Sequence, residues 1–400
     1  MHIVYISREY PPSHRGGGIA TYLKIMAEGF AAKGHQVTVI AASDDTRTES
    51  DEISNSVRII RLSGGDFCIK ASEPDSGIIE KFRFIYRFHS YRKKIRDAVS
   101  KLDNVDIIEV AEYGAEGLYL NNLNIPIVYR LHTPALLDHE NFSLQKLNFS
   151  NLLYYYSGMK ELQILRDNGV YITSCSASLK EWVGKYVGLD TTGIRVIYNP
   201  LQNDFLKNTQ YDEKRIKYDT VFFAGTVCDW KGAGDLVEAC KYLHERGINI
   251  TLEMAGKTGT YGEGLREKFK SVSWLKILGK LPQEDLKALY SSSVVVCFPS
   301  WWENMPMVCI EAMAQGAIVI GSNSGGMSEI IEDGRSGFLL PPKQPDLWAN
   351  KIWKVSQMTT QQRLEMSNAA KQRITDVFGL RNIINQTYNY YQFVIGDYKK

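Results

Sequence analysis

The stretch "IVYISREYPPSHRGGGIATYLKIMAEGFAAKGHQVTVIAA", residues 3–42, changes its hydrophobic period twice. An apolar run from Ile3 to Ser7 has the character of a strand and is broken by Pro11, Pro12 and the glycines Gly16–Gly18. Ile19, Tyr22, Leu23, Met26 and Phe30 then recur at three- and four-residue steps, which places them on one face of a helix. Gly34 is its predicted C-cap, and "QVTVIAA" reads as the next strand. Strand, loop, helix, strand is a βαβ unit, and such a unit implies a parallel sheet. The predicted fold class is α/β.

Further strands are predicted at Val57–Leu62, Ile107–Val110, Ile127–Leu131 and Val170–Ser174. A second series begins after "RVIYNP", with strand candidates "TVFFAG", "INITLEMAG", "WLKILG", "SVVVCFP" and "AIVIGS" alternating with helical segments. Two αβ series of similar size predict two doubly wound domains, 1–200 and 201–375, hinged near residue 200. A helical, tyrosine-rich segment, 376–400, completes the chain and is predicted to pack back on the first domain.

With 400 residues, each domain is long enough to bury its own core. A net charge of +2 argues against a dedicated nucleic-acid binder. The six cysteines form no CxxC pair, a pattern of reduced structural thiols rather than of a zinc site or disulfide framework. The N-terminus lacks the features of a signal peptide, and no stretch approaches the ~18 apolar residues of a membrane span. A soluble cytoplasmic protein is expected.

Three features bear on chemistry. In "RGGGIATY", small residues stand where a strand hands over to a helix, so backbone N–H groups and the helix dipole can face an anion. The motif is neither GxGxxG nor a P-loop, and a flexible turn explains it equally well. In "GTVCDWKG", Lys231 falls in a strand-to-helix loop at the carboxyl edge of a sheet, where open α/β proteins bind ligands and an ammonium can neutralise a diphosphate; alone, it suits a solvated surface lysine. In "WWENMPMVCIEAMAQG", Glu303 lies in a loop before Pro306, and Glu311 lies one to two turns into the following helix. One carboxylate there can meet sugar hydroxyls, and the other can accept two vicinal hydroxyls of a ribose. Compensation of the helix dipole explains Glu303 adequately and Glu311 poorly.

Glu-x7-Glu followed by "AMAQGAIVIGSNSGGMSEII" resembles the retaining GT-B glycosyltransferases of glycosyltransferase family 4. The resemblance extends over "PPSHRGGGIATY", "YRLHTP", "SCSASLKEWV", "VIYNP" and "FAGTVCDWKG". It implies a GT-B architecture, two Rossmann-like domains facing across a cleft that closes about the 200 region, and a nucleotide-sugar donor. Glu311 would hold the donor ribose, Glu303 would lie beside the transferred sugar, and Lys231 would grip the diphosphate. Asn304, Met305 and Met307 would offer backbone N–H groups, Gly17 and Gly18 would close over the donor phosphates, and His132 would face the reaction centre. Retention by same-face attack is implied, with the leaving phosphate accepting the acceptor's proton. No metal is demanded, since the sequence contains no Asp-x-Asp, and no cofactor beyond the co-substrate is expected.

Two positions depart from the family pattern. Thr226 stands where the family often carries an arginine, and Lys257 is a candidate to replace that phosphate contact. "ENMP" replaces the commoner Glu-Gly-Phe-Gly. On the acceptor side, Glu109 and Glu112 sit at or just beyond a strand end and suit either hydroxyl contacts or a loop cap.

Lys81 to Arg96 holds seven Lys/Arg and no acid. As a helix it is predicted to bury Ile85, Phe88, Ile95 and Val99 and to expose Phe84, Arg87, Tyr91 and Lys94. That face suits an anionic bilayer and a glycan or lipid-linked acceptor in cell-surface polysaccharide or glycolipid assembly; an ordinary amphipathic helix is the alternative. The rival functions are a nucleotide-sugar epimerase, a glycogen-type synthase (disfavoured here by length), and a non-catalytic homologue that binds nucleotide or glycan.

Overall fold

The computed structural model describes residues 1–14, 16–45, 47–65, 78–138, 140, 142–148, 151–167, 169–205 and 212–399. Cys68 lies outside them; Cys175, Cys240, Cys297 and Cys309 are buried thiols and Cys228 is half-buried. The chain forms two compact units. Met1–Asp138, Phe142–Pro200 and Leu380–Lys400 make the first, and Leu201–Gly379 is the body of the second.

The first unit runs β1 (His2–Ile6), α1 (Gly18–Ala32), β2 (Gln36–Ala42), β3 (Ser50–Ser54), β4 (Val57–Leu62), α2 (Ile78–Val99), β5 (Ile107–Ala111) and β6 (Ile127–Leu131). A short antiparallel pair follows, β7 (Leu137–Asp138) with β8 (Ser143–Leu144), then α3 (Tyr156–Leu165), β9 (Tyr171–Ser174), α4 (Ala177–Trp182) and β10 (Arg195–Val196). Its main sheet has the order β10-β9-β6-β5-β1-β2-β4-β3 and is parallel except for β3. Ile3 pairs with Val37 on one side and Ile107 on the other, so the sheet grows both ways from β1. The carboxyl ends of β1 and β5 therefore flank the topological switch point, the usual place for a ligand in such a sheet. From the predicted stripe of α1, Tyr22, Leu23, Met26 and Phe30 are buried; Ile19 is half-buried. Full burial of such a side chain contributes roughly 1.5–3 kcal/mol.

The predicted face of α2 is rotated. Phe88, Ile95 and Val99 are buried, but so are Phe84 and Tyr91, which were expected outward, while Ile85 and Lys94 are half-buried. Arg92 sits at the centre of the buried stripe. Its guanidinium lies 3.3 Å from the Phe88 ring centroid and donates to the carbonyls of Phe88, Gly114 and Ala115, so a charge that counted as polar in the sequence packs inward.

The second unit runs β11 (Lys217–Ala224), α5 (Ala233–Glu245), β12 (Thr251–Ala255), α6 (Thr260–Lys268), β13 (Leu275–Gly279), α7 (Gln283–Ser292), β14 (Ser293–Phe298) and α8 (Met307–Ala314). It continues through β15 (Val319–Ser322), α9 (Met327–Ile330), β16 (Phe338–Leu340), α10 (Pro345–Ser356) and α11 (Thr360–Phe378). Its sheet, β13-β12-β11-β14-β15-β16, is parallel throughout, and every residue of β14 is buried because both faces are covered. The switch point lies between β11 and β14. After α11 the chain turns at Gly379 into α12 (Leu380–Tyr398), a helix of the first unit. Its Ile383, Ile384, Tyr391 and Val394 join Ile3, Tyr5, Met26 and Phe30 in one core.

Candidate active site

Two loops at the β11/β14 switch point are locked together by backbone. Gly232 (φ +70°) caps α5, and a Cβ there would overlap the Pro299 carbonyl. The Trp301 N–H donates to the Trp230 carbonyl at 2.8 Å, and the Trp301 indole N–H donates to Asp235 at 2.8 Å. From behind, Gly325 (φ +64°) packs so closely on the Glu303 carbonyl that no Cβ fits, and the Gly326 N–H donates to that carbonyl at 2.9 Å. Position 325 thus requires glycine both for its conformation and for the approach.

This framework presents Lys231 and Glu303 to one another. Their side chains form an ion pair, and the Ser300 hydroxyl donates to the same Glu303 oxygen at 3.0 Å. The Lys231 ammonium also stands 4.3 Å from the Trp230 ring centroid. Read separately, the two residues had separate ligand partners; the fold makes each the other's partner.

Helix α8 starts at Met307, with Pro306 as its N-cap. Asn304, Met305 and Met307 are buried around that terminus. The first N–H groups of a helix have no acceptor within it, so this terminus can serve an anion. Glu311 lies in its second turn. Burial pushes its carboxyl up to about 7, against the opposing influence of the Tyr290 hydroxyl and the Lys287 ammonium. Thr226 and Lys257 are exposed in adjoining strand-end loops. The Val227 N–H donates to the Lys257 carbonyl at 2.9 Å, and Gly256 (φ +149°) presses on Gly225 so tightly that a Cβ would overlap it. Lys257 is thereby held beside the Thr226 loop.

In the first unit, Gly17 is an extended residue that any side chain could adopt, and a Cβ at Gly16 or Gly18 would meet nothing within 4 Å. The packing of the unit itself does not demand three glycines at the start of α1. His132, at the end of β6, is buried with the Tyr22 ring edge-on at 5.1 Å. Burial and the nearby Arg130 hold its imidazole well below the usual histidine range, so it is neutral near pH 7.

Of the two readings of Glu109 and Glu112, hydroxyl contact or loop cap, the cap describes Glu112; both residues are buried, and their oxygens accept hydrogen bonds from the protein. Glu109 accepts the hydroxyls of Tyr22 (2.8 Å) and Tyr391 (2.7 Å), tying β5 to α1 and α12. Glu112 accepts the backbone N–H groups of His132 and Thr133. Sequence reading missed Glu161 and Arg8, which work beside it. Glu161 accepts Gly114 and Ala135 N–H groups, and Arg8 lies 4.9 Å from the Tyr113 ring centroid while its backbone N–H donates to buried Glu116. The acids of "EYGAE" offered a signal for this cluster; nothing near Glu161 did.

A family model described as Glycosyltransferase Family 4 matches residues 16–205, and one described as Glycosyl transferases group 1 matches 207–373. The chain belongs to glycosyltransferase family 4, of the GT-B type. It is 26% identical to an uncharacterized glycosyltransferase of Methanocaldococcus jannaschii, over 99% of both chains. It is 24% identical to a glycogen synthase of Mycobacterium tuberculosis, over 98% of this chain and 94% of that one. Length therefore does not set this family 4 chain apart from a glycogen-type synthase. The fold matches that of sucrose-phosphate synthase from Thermosynechococcus elongatus with a TM-score of 0.79 over 99% of both chains, at 22% identity.

Proposed function

We propose that the protein is a retaining, metal-independent hexosyltransferase that moves a sugar from a UDP- or GDP-sugar to a glycan or lipid-linked acceptor. The observation that carries this reading is the Lys231–Glu303 ion pair, locked at the switch point of the second unit, with Glu311 on the adjoining helix. Donor ribose hydroxyls bond Glu311, and the diphosphate draws Lys231 from Glu303. The N–H groups of Asn304, Met305 and Met307, with Thr226 and Lys257, receive the remaining oxygens. Gly17 and Gly18 leave room for phosphate at the start of α1.

In the reaction the bond from the anomeric carbon to the diphosphate oxygen breaks, and a bond to the acceptor oxygen forms on the same face. The acceptor's proton passes to the departing diphosphate. Positive charge near that leaving group, from Lys231, Lys257 and the α8 terminus, stabilises what develops there, while Glu303, released from Lys231, faces an oxocarbenium-like sugar. His132, neutral, orients a hydroxyl by hydrogen bonding and does not act as an acid. Release of UDP, GDP or ADP from a panel of sugar nucleotides, with and without oligosaccharide acceptors, tests the reading. Turnover of one donor, lost by roughly a hundredfold or more in folded Glu303→Gln, is expected. Donor binding without turnover would favour a non-catalytic glycan- or nucleotide-binding homologue. Transfer that stops in EDTA and returns with Mn²⁺ would contradict metal independence.

The acceptor side of the proposal rests on α2. Ile79, Phe82 and Tyr86 are each at least 70% exposed, at helical spacing, beside exposed Arg83, Arg87 and Lys93. An apolar stripe bordered by cations suits the interface of an anionic bilayer. It supports a reading in which the protein works at the cytoplasmic face of a membrane, in cell-surface polysaccharide or glycolipid assembly. Among the described residues, no helix is long and apolar enough to cross a membrane.

A further inference from the structure

We infer that Glu112 is a positioning residue, fixing the place of the His132 imidazole by holding the backbone of the loop that carries it; this rests on the role proposed for His132. Both Glu112 oxygens lie 2.8 Å from the His132 N–H, and one accepts the Thr133 N–H at 2.6 Å. The carboxyl is 2% exposed and lies near a second buried carboxyl, Glu161. Burying a carboxyl for backbone bonds alone is an expensive way to end a strand, since apolar residues and a turn would do so at less cost. What the arrangement secures is geometry.

Glu161 repeats the device two residues on, accepting the Ala135 N–H at 2.9 Å and the Gly114 N–H at 2.6 Å. The loop after β6 is therefore held at positions 132, 133 and 135. The loop after β5 is held from the other side, with Arg92 on its carbonyls at 114 and 115 and Glu116 on the Arg8 N–H. With its backbone clamped and its ring against Tyr22, His132 has one place to stand. A shift of about 1 Å in such a group costs up to a hundredfold in rate, while binding at a distant point is untouched.

The test compares wild type, Glu112→Gln, Glu112→Asp and His132→Ala. Turnover is followed as nucleoside diphosphate released from the sugar nucleotide that wild type uses, and donor affinity is measured by titration with that nucleotide's diphosphate. In Glu112→Gln an amide NH₂ replaces one of the two oxygens that face the His132 N–H and opposes that N–H; in Glu112→Asp the acceptors are withdrawn by one methylene. Both are expected to lower kcat roughly ten- to a hundredfold, with diphosphate Kd within about twofold of wild type. His132→Ala should lose at least as much, and combining it with Glu112→Gln should add little further. Wild-type kcat in either folded Glu112 variant overturns the inference, as does a Kd that rises in step with the loss of kcat. Full turnover in His132→Ala defeats the proposed role of His132 instead, which separates the two failures.

Discussion

In the proposed donor site, the task of Glu311 and its surroundings oppose each other, because ribose recognition would need its charge and burial disfavours that charge. With the free carboxyl at about 7, the protonated form predominates below that pH and must lose its proton before it can accept two hydroxyls. Donor affinity should therefore rise as pH increases through about 7 and level off above, by at most tenfold per unit. Titrations between pH 5.5 and 8.5 check this; a flat profile in wild type, or the same slope in Glu311→Gln, contradicts it. Gly325 gives a second expectation at this scale. Gly325→Ala forces a side chain into a φ of +64° and against the Glu303 carbonyl, so it should lower both stability and turnover. Stability should fall by roughly 1–3 kcal/mol by denaturant titration. These residues differ in how openly the sequence announced them. Glu303 and Lys231 stand in loops and Glu311 near the start of α8, at a spacing that is legible; that Lys231 pairs with Glu303 depends on β11 and β14 becoming neighbours, which spacing does not encode. Glu109 and Glu112 were visible as acids at a strand end, but their partners arrive from α1, α12 and the loop after β6.

At the scale of elements, α12 shows what tertiary packing adds to a local pattern. Its periodicity is plain in "RNIINQTYNYYQFVIG", yet its place in the core beside α1 rests on Gly29, where a Cβ would overlap the Ile384 side chain. Ile384→Ala should destabilise the protein by roughly 2–5 kcal/mol in equilibrium denaturation; a loss below about 1 kcal/mol would contradict the close packing of α12 on α1. Helix α2 shows the reverse case. Its existence follows from its sequence, but its orientation does not, because Arg92 buries its charge on three carbonyls and turns the apolar stripe with it. The exposed face is then Ile79, Phe82 and Tyr86, and replacing Phe82 and Tyr86 by serine should abolish sedimentation with phosphatidylglycerol vesicles and leave the unfolding midpoint unchanged. Equal binding by wild type and variant would remove α2 from the acceptor proposal. Strand β3 was not legible at all: its five residues are exposed and have no alternation, and they are strand only because they pair with β4.

Taken whole, the molecule divides its buried charge unevenly. The first unit holds Glu109, Glu112, Glu116 and Glu161 in its interior, and this has a consequence for stability. Burial raises Glu161 to about 7 against the pull of two backbone N–H bonds, Arg8 and Arg92, whereas in the unfolded chain it titrates near 4.5. The folded state thus keeps a proton that the unfolded state has lost between those values, so the stability contributed by Glu161 is complete below about 4.5 and declines as pH rises to about 7. Relative to Glu161→Gln, wild type should lose stability from pH 5 to pH 8; a constant difference would contradict the assignment. The second unit carries the central claim, that this family 4 chain holds a sugar nucleotide at the β11/β14 switch point through Lys231, Glu303 and Glu311. The most direct measurement is thermal stabilisation by UDP-, GDP- and ADP-sugars, in wild type and in Glu311→Ala. A shift with one nucleotide class in wild type that disappears in the variant is expected; no shift from folded wild type with any of them, or a shift that survives in Glu311→Ala, would contradict donor binding at this site.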